Sequence, residues 1–102
     1  MPPVAKGYRF TRDGRTIDVA TAGYLDAGRV ARVIAIDADG AYWLLEIGGQ
    51  GQLMKAIVGP VTIESALEMA EAVLAGKDHG AVSLATTTLA LAVAARVIRE
   101  AA

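Results

Sequence analysis

The sequence contains no cysteine, and its 102 residues include one histidine and one tryptophan. Without cysteine there is no disulfide scaffold and no thiolate for redox or metal chemistry. A zinc site needs roughly three or four nitrogen or sulfur ligands, which the single histidine, His79, cannot supply. Aromatic residues make up 5% of the chain, and the formal net charge is −1. That balance excludes a nucleic-acid binder driven by bulk charge. Long apolar runs are missing too. The longest uncharged stretch, Gly80 to Ala95, has sixteen residues and includes Ser83, Thr86, Thr87 and Thr88, whereas a membrane span needs about 20 predominantly apolar residues. The N-terminus, Met1-Pro2-Pro3-Val4-Ala5-Lys6, has no apolar core of a secretory signal. The expectation is a cytoplasmic protein without membrane contact.

Apolar residues are plentiful, at 54%, but 21 residues of the chain are alanine. Small side chains let helices approach closely while each buries little area, at roughly 25 cal/mol per Å². A chain of this length forms one domain. Residues 1–6, with two early prolines, read as a flexible arm, and 7–102 as a single α+β domain.

Gly7 to Val19 reads as a β-hairpin. Tyr8, Phe10, Ile17 and Val19 suit strands, and Asp13-Gly14 tolerates the positive φ of a tight turn. Ala22 to Gly28, with Gly23, Asp26 and Gly28, reads as a loop or a strand-to-strand crossover. Arg29 to Asp37 and Ala41 to Ile47 form a second hairpin about Asp39-Gly40. The Gly48-Gly49-Gln50-Gly51 connection leads to a short strand, Leu53 to Val58, and Gly59-Pro60 should end the sheet. Trp43, Leu45 and Ile47 fall on one face of their strand and Tyr42 and Leu44 on the other. A sheet with one wet face should alternate apolar and polar, so this one must be covered on both faces.

After Pro60 the apolar period becomes helical. Thr62 is an N-cap with Glu64 in the first turn. Ile63, Ala66, Leu67, Ala70, Val73 and Leu74 recur at amphipathic spacing, and Gly76 ends the helix. A second helix runs from about Ser83 to Glu100 with two apolar stripes. One holds Leu84, Thr87, Leu91, Ala94, Ala95 and Ile98; the other holds Leu89, Val93 and Val97. A helix that is apolar nearly all round must be buried nearly all round. The expected solution is a homodimer about a two-fold axis with Leu89, Val93 and Val97 at the seam. The alternative is a central helix clasped by its own chain. The expected fold is therefore α+β: a curved antiparallel sheet of four or five strands, followed by two C-terminal helices packed on one face.

Catalytic constellations are scarce. His79, in Lys77-Asp78-His79-Gly80, reads as a solvated loop residue. Asp37-Ala38-Asp39-Gly40 opens like a calcium loop but lacks the remaining ligands and the flanking helices, and a β-turn accounts for it. Gly48 to Gly51 lacks the following helix of a phosphate loop. Glu64, Glu68 and Glu71 lie on a wet helical face, where carboxylates stay solvated and do no paired acid–base work. No catalytic residue, cofactor site or metal site is expected.

Charge is segregated along the chain. Residues 1–32 carry +3, residues 33–75 carry −5, and the remainder +1. Tyr8, Arg9, Arg12, Arg15 and Arg32 are candidates for partner binding, because arginine and tyrosine are favoured interface anchors. A protein partner fits the overall charge best; the alternative is a nucleic-acid-binding protein that grips phosphates or bases with this hairpin.

The run Ile36-Asp37-Ala38-Asp39-Gly40-Ala41-Tyr42-Trp43, followed by Gly59-Pro60-Val61-Thr62-Ile63-Glu64-Ser65-Ala66-Leu67-Glu68-Met69-Ala70, resembles the partial RNase H-like domain of HicB-type antitoxins. The resemblance covers residues 30–75; the chain lacks that family's Pro-rich loop between hairpin and helix and shows no C-terminal DNA-binding module. It implies a dimeric, non-catalytic protein that inhibits a partner. The function expected is a small non-enzymatic protein-binding or regulatory module acting as a homodimer, of the kind often encoded by phages or mobile elements.

Overall fold

The computed structural model describes residues 6–26, 31–77 and 83–101. Five strands, β1 (Gly7–Arg12), β2 (Arg15–Asp26), β3 (Ala31–Asp37), β4 (Tyr42–Ile47) and β5 (Leu53–Val61), precede two helices, α1 (Ile63–Leu74) and α2 (Leu84–Ala101). Every strand pairs antiparallel with its sequence neighbour, in the order β1-β2-β3-β4-β5. This is the α+β architecture expected from the sequence.

Curling of the sheet explains how both faces are buried. In a flat sheet β1 and β4 would lie roughly 14 Å apart, three strand spacings. Instead the Phe10 ring meets Trp43 edge-on with centroids 4.9 Å apart, and the Arg12 side chain reaches across to the Ala56 carbonyl of β5 at 3.2 Å. The inner face thus folds over itself around Val19, Val33, Ala35, Trp43, Leu45 and Ile47, with Tyr8, Phe10 and Ile17 from the first hairpin packed against them. On the outer face Ile34, Tyr42, Leu44 and Val61 meet Ala66 of α1 and Leu89, Ala90 and Val93 of α2. Helix α2 lies on β4 and β5, and α1 packs chiefly on α2.

Two strands outrun their sequence limits. The stretch expected as a loop from Ala22 is strand as far as Asp26, because β2 absorbs its irregular residues in register shifts between Thr21 and Gly23 and between Tyr24 and Asp26, where a strand can bend without ending. The rest of that expected loop, 27–28, and the first residues of the expected third strand, 29–30, lie outside the described residues. Likewise Gly59-Pro60 does not end β5. The Gly59–Pro60 peptide is cis, and the pair occupies a register shift of β5 opposite Trp43, on an edge strand where a missing N–H costs least. The glycine is required there: its φ is +149°, and a Cβ would lie 2.5 Å from the Trp43 ring.

Thr62 caps α1 as the sequence implies, and α2 starts where expected with a cap of its own. Thr62 Oγ1 accepts the Ser65 N–H at 3.1 Å, and Ser83 Oγ accepts that of Thr86 at 3.1 Å. Helix α1 ends in a Schellman motif: with Gly76 at φ +69°, the Lys77 N–H reaches the Ala72 carbonyl and the Gly76 N–H that of Val73.

The expected dimer seam is corrected. Leu89 and Val93 are 0% exposed within the single chain, and Val97 packs partly buried against the same core. Because the curled sheet covers its own inner face, its outer face is free to take this stripe, and the clasped-helix alternative is the one observed. Of the other stripe, Leu84, Leu91, Ala95 and Ile98 are left in solvent, while Ala94 is buried as well.

Of the expected arm, residues 1–5 lie outside the described residues. Lys6 is held: its carbonyl accepts the Thr21 N–H at 2.8 Å and the Thr21 hydroxyl at 3.0 Å, and its ammonium donates to the Gly51 carbonyl.

Candidate functional site

The five hairpin and strand candidates do not form one patch. Alternation along β1 sends Tyr8, Phe10 and Arg12 inward and Arg9 outward. Arg9 lies directly across from Asp18 in register and binds it at 2.6 Å; that hydrogen bond and charge raise the guanidinium pKa further above its ordinary value. Arg12 stacks its guanidinium 5.4 Å from the Trp43 ring centre while bonding to Ala56. Tyr8 is half-buried under the Lys6 ammonium, 5.3 Å above its ring. Burial, and secondarily Tyr24, push its phenol up against a lowering hydrogen bond from Thr21. Arg15 is exposed beside the turn. Arg32 sits on β3 between Asp26 and Glu46 in register; it is half-buried and engaged in an interaction of its own. Only Arg15 presents an exposed fork without a described partner, so the concerted phosphate grip imagined for this hairpin is not assembled.

The turn between β3 and β4 is likewise occupied by its own chain. One Asp37 oxygen accepts the Asp39 and Ala41 N–H groups at 2.9 and 3.0 Å, and the other accepts the Trp43 indole N–H at 3.0 Å. Sequence reasoning found the turn and missed this clamp, although an aspartate opening a tight turn is a known acceptor for the N–H two residues on. Among the described residues, no cluster of three histidine, cysteine, aspartate or glutamate side chains could hold a metal. His79 lies outside the described residues. A shallow hollow of about 360 Å³ lies open over Gly7, Tyr8, Arg9, Asp18 and Val19.

The feature that stands out is the outer surface of the helix layer. On α2, Leu84 is 82% exposed, Leu91 38% and Ile98 66%. Spaced seven residues apart, they share one side of the helix. On α1, Ile63 and Leu67 are more than one-third exposed and Leu74 is 85% exposed. These three lie within roughly 40° of one another at 100° per residue. Met69, which packs on the core beneath, projects from nearly the opposite side of α1. Both helices therefore leave aliphatic side chains exposed outside the core. No helix of the described residues is long and apolar enough to cross a membrane.

Compared with protein-family models, with curated proteins and with solved structures, the chain finds no match in any of the three.

Proposed function

We propose that the chain is a small non-enzymatic protein-binding or regulatory module of the cytoplasm that acts as a homodimer and inhibits a partner protein of a phage or mobile element. The observation that carries the reading is the aliphatic outer surface of α1 and α2. At a few hundred Å² it is of the size of the largest apolar patch on a small protein, and such patches are often association surfaces, above all where polar residues rim them. The resemblance to HicB-type antitoxin domains over residues 30–75 supports the same reading, since it implies a dimeric and non-catalytic inhibitor. The seam argued from Leu89 and Val93 lends it nothing, because those side chains are already covered by their own chain.

Light scattering across a micromolar concentration series tests the reading. The expected result is a species of twice the 10.5 kDa chain mass. A chain that stays at 10.5 kDa at the highest concentration removes the homodimer.

A further inference from the structure

We infer that the occupant of the exposed helix-layer surface is a second copy of this chain, set so that α1 of each copy lies across α2 of the other. The inference rests on the homodimer reading and adds to it the face and the pairing. Three observations carry it.

The first is area. At the exposures of Ile63, Leu67, Leu74, Leu84, Leu91 and Ile98, and at roughly 100 Å² of apolar surface per aliphatic side chain, one copy offers about 350 Å². Interfaces between copies are about 65% apolar, so this patch corresponds to about 540 Å² buried per copy. In total that is just above the roughly 1,000 Å² that separates a specific contact from an incidental one and below the size of tight pairing, so it fits a weak dimer held at micromolar concentration.

The second is the charge at the margins. On α1 the acidic row Glu64, Glu68 and Glu71 borders the aliphatic strip, on the side away from the buried Ala66 and Ala70. On α2 the exposed Arg99 borders its strip, on the side away from the buried Ala90 and Ala94. Each copy thus carries an acidic margin on one helix and a basic one on the other. A two-fold axis running along the helices lays the acidic margin of one copy beside Arg99 of the next. An axis across them would lay the acidic row against itself, which like charges oppose.

The third is what lies between the aliphatic residues. From Leu84 to Ile98 that side of α2 carries no charge, and Thr88 and Ala95 separate its large residues. Small neighbours leave hollows for the side chains of a facing helix.

The experiment measures the dimer dissociation constant by sedimentation for the native chain, for Leu91→Glu, for Leu84→Glu, and for Arg99→Glu alone and combined with Glu68→Arg. Circular dichroism and Trp43 fluorescence report on each monomer fold. Either leucine substitution should weaken the dimer about 30-fold or more, as at an interface hot spot, with the fold intact. Arg99→Glu should weaken it several-fold, and adding Glu68→Arg should restore it. A native dimer indifferent to both leucine changes overturns this face while leaving the homodimer reading standing. A native chain that is monomeric throughout overturns both. A charge swap that fails to restore affinity overturns the pairing of α1 with the partner's α2.

Discussion

Replacing Gly59 with alanine should separate two costs that usually arrive together. The φ of +149° at Gly59 belongs to a region that is essentially glycine's alone, and forcing another residue into it costs about 1–3 kcal/mol. In addition, the new Cβ would lie 2.5, 2.6 and 3.0 Å from three carbons of the Trp43 ring, where carbon contacts settle at about 3.5–4.0 Å. Trp43 is 2% exposed, with Phe10 and Arg12 packed against it, and it cannot retreat freely. Overpacking of this kind adds about 1–3 kcal/mol. Gly40 and Gly76 provide the comparison: their φ values are +84° and +69°, with nothing within 4 Å of a built Cβ. Alanine at either should cost only the left-handed backbone penalty, about 1–2 kcal/mol. Urea unfolding followed by the fluorescence of the single tryptophan gives all three values on one scale. Gly59→Ala should exceed Gly76→Ala by about 2 kcal/mol, or about 8–16 °C in melting temperature for a domain near this size. If the two variants agree to within about 0.5 kcal/mol, Trp43 does not lie against Gly59 and the account of β5 is wrong.

Four further outcomes follow from particular contacts. Asp37→Ala should cost about 2–4 kcal/mol and shift Trp43 emission, because it strips the acceptor from a part-buried indole N–H and from two turn N–H groups; Asp37→Asn, which keeps one acceptor oxygen, should cost visibly less. Val93→Glu should abolish the cooperative fold instead of merely dissociating a dimer, as it buries a charge at a 0% exposed position, and a soluble folded monomer would contradict that. Arg12→Ala should speed hydrogen exchange in β1 and β5 while leaving α2 protected; uniform loss across the chain would show that Arg12 does not act locally. The Tyr8 phenol is raised above 10.0, chiefly by burial, so the folded state holds its proton more tightly than the unfolded one. Its contribution is therefore fully present below about pH 10 and declines as pH rises through the raised value, which urea midpoints on either side, with Tyr8→Phe as control, would reveal.

Most of the fold was legible because its signals are local. Asp13-Gly14 and Asp39-Gly40 mark turns by their tolerance of positive φ, and Thr62, Ser83 and Gly76 mark helix ends by the hydrogen bonds and backbone shape they supply. Those signals fail where glycine and proline serve a strand. Gly23 sits in a bulge of β2 and Gly59-Pro60 in one of β5, and only the partner strand distinguishes a bulge from an end. The site was less legible. Helical spacing resolved α2 into two stripes but could not say which faces in, since Leu84, Leu91 and Ile98 are as apolar as Leu89, Val93 and Val97. The choice depends on which stripe fits the outer face of the sheet, a contact distant in sequence. The contacts of the arginines were hidden for a similar reason. Asp18 neutralises Arg9 only because the register sets them opposite, and Trp43 absorbs Arg12 only because the sheet curls.

That curl also decides where assembly can happen. Had the sheet been flat, its inner face would have needed a second layer, and the partner would belong there. Instead β1 arches over until Arg12 donates to the Ala56 carbonyl of β5, while Lys6, just before β1, donates to the Gly51 carbonyl in the β4–β5 connection, so the two ends of the sheet are bridged by side chains with no backbone ladder between them. Charged side chains on edge strands discourage further strand pairing, which argues against growth through the sheet. Apolar surface that the chain leaves uncovered is concentrated instead on the far side of the helices, where alanines bring α1 and α2 close and leave their larger residues outward. Helices built from small residues bury little of themselves. An aliphatic surplus on their outer side is the physical consequence, and an identical surface is one complement that is always present at matching concentration.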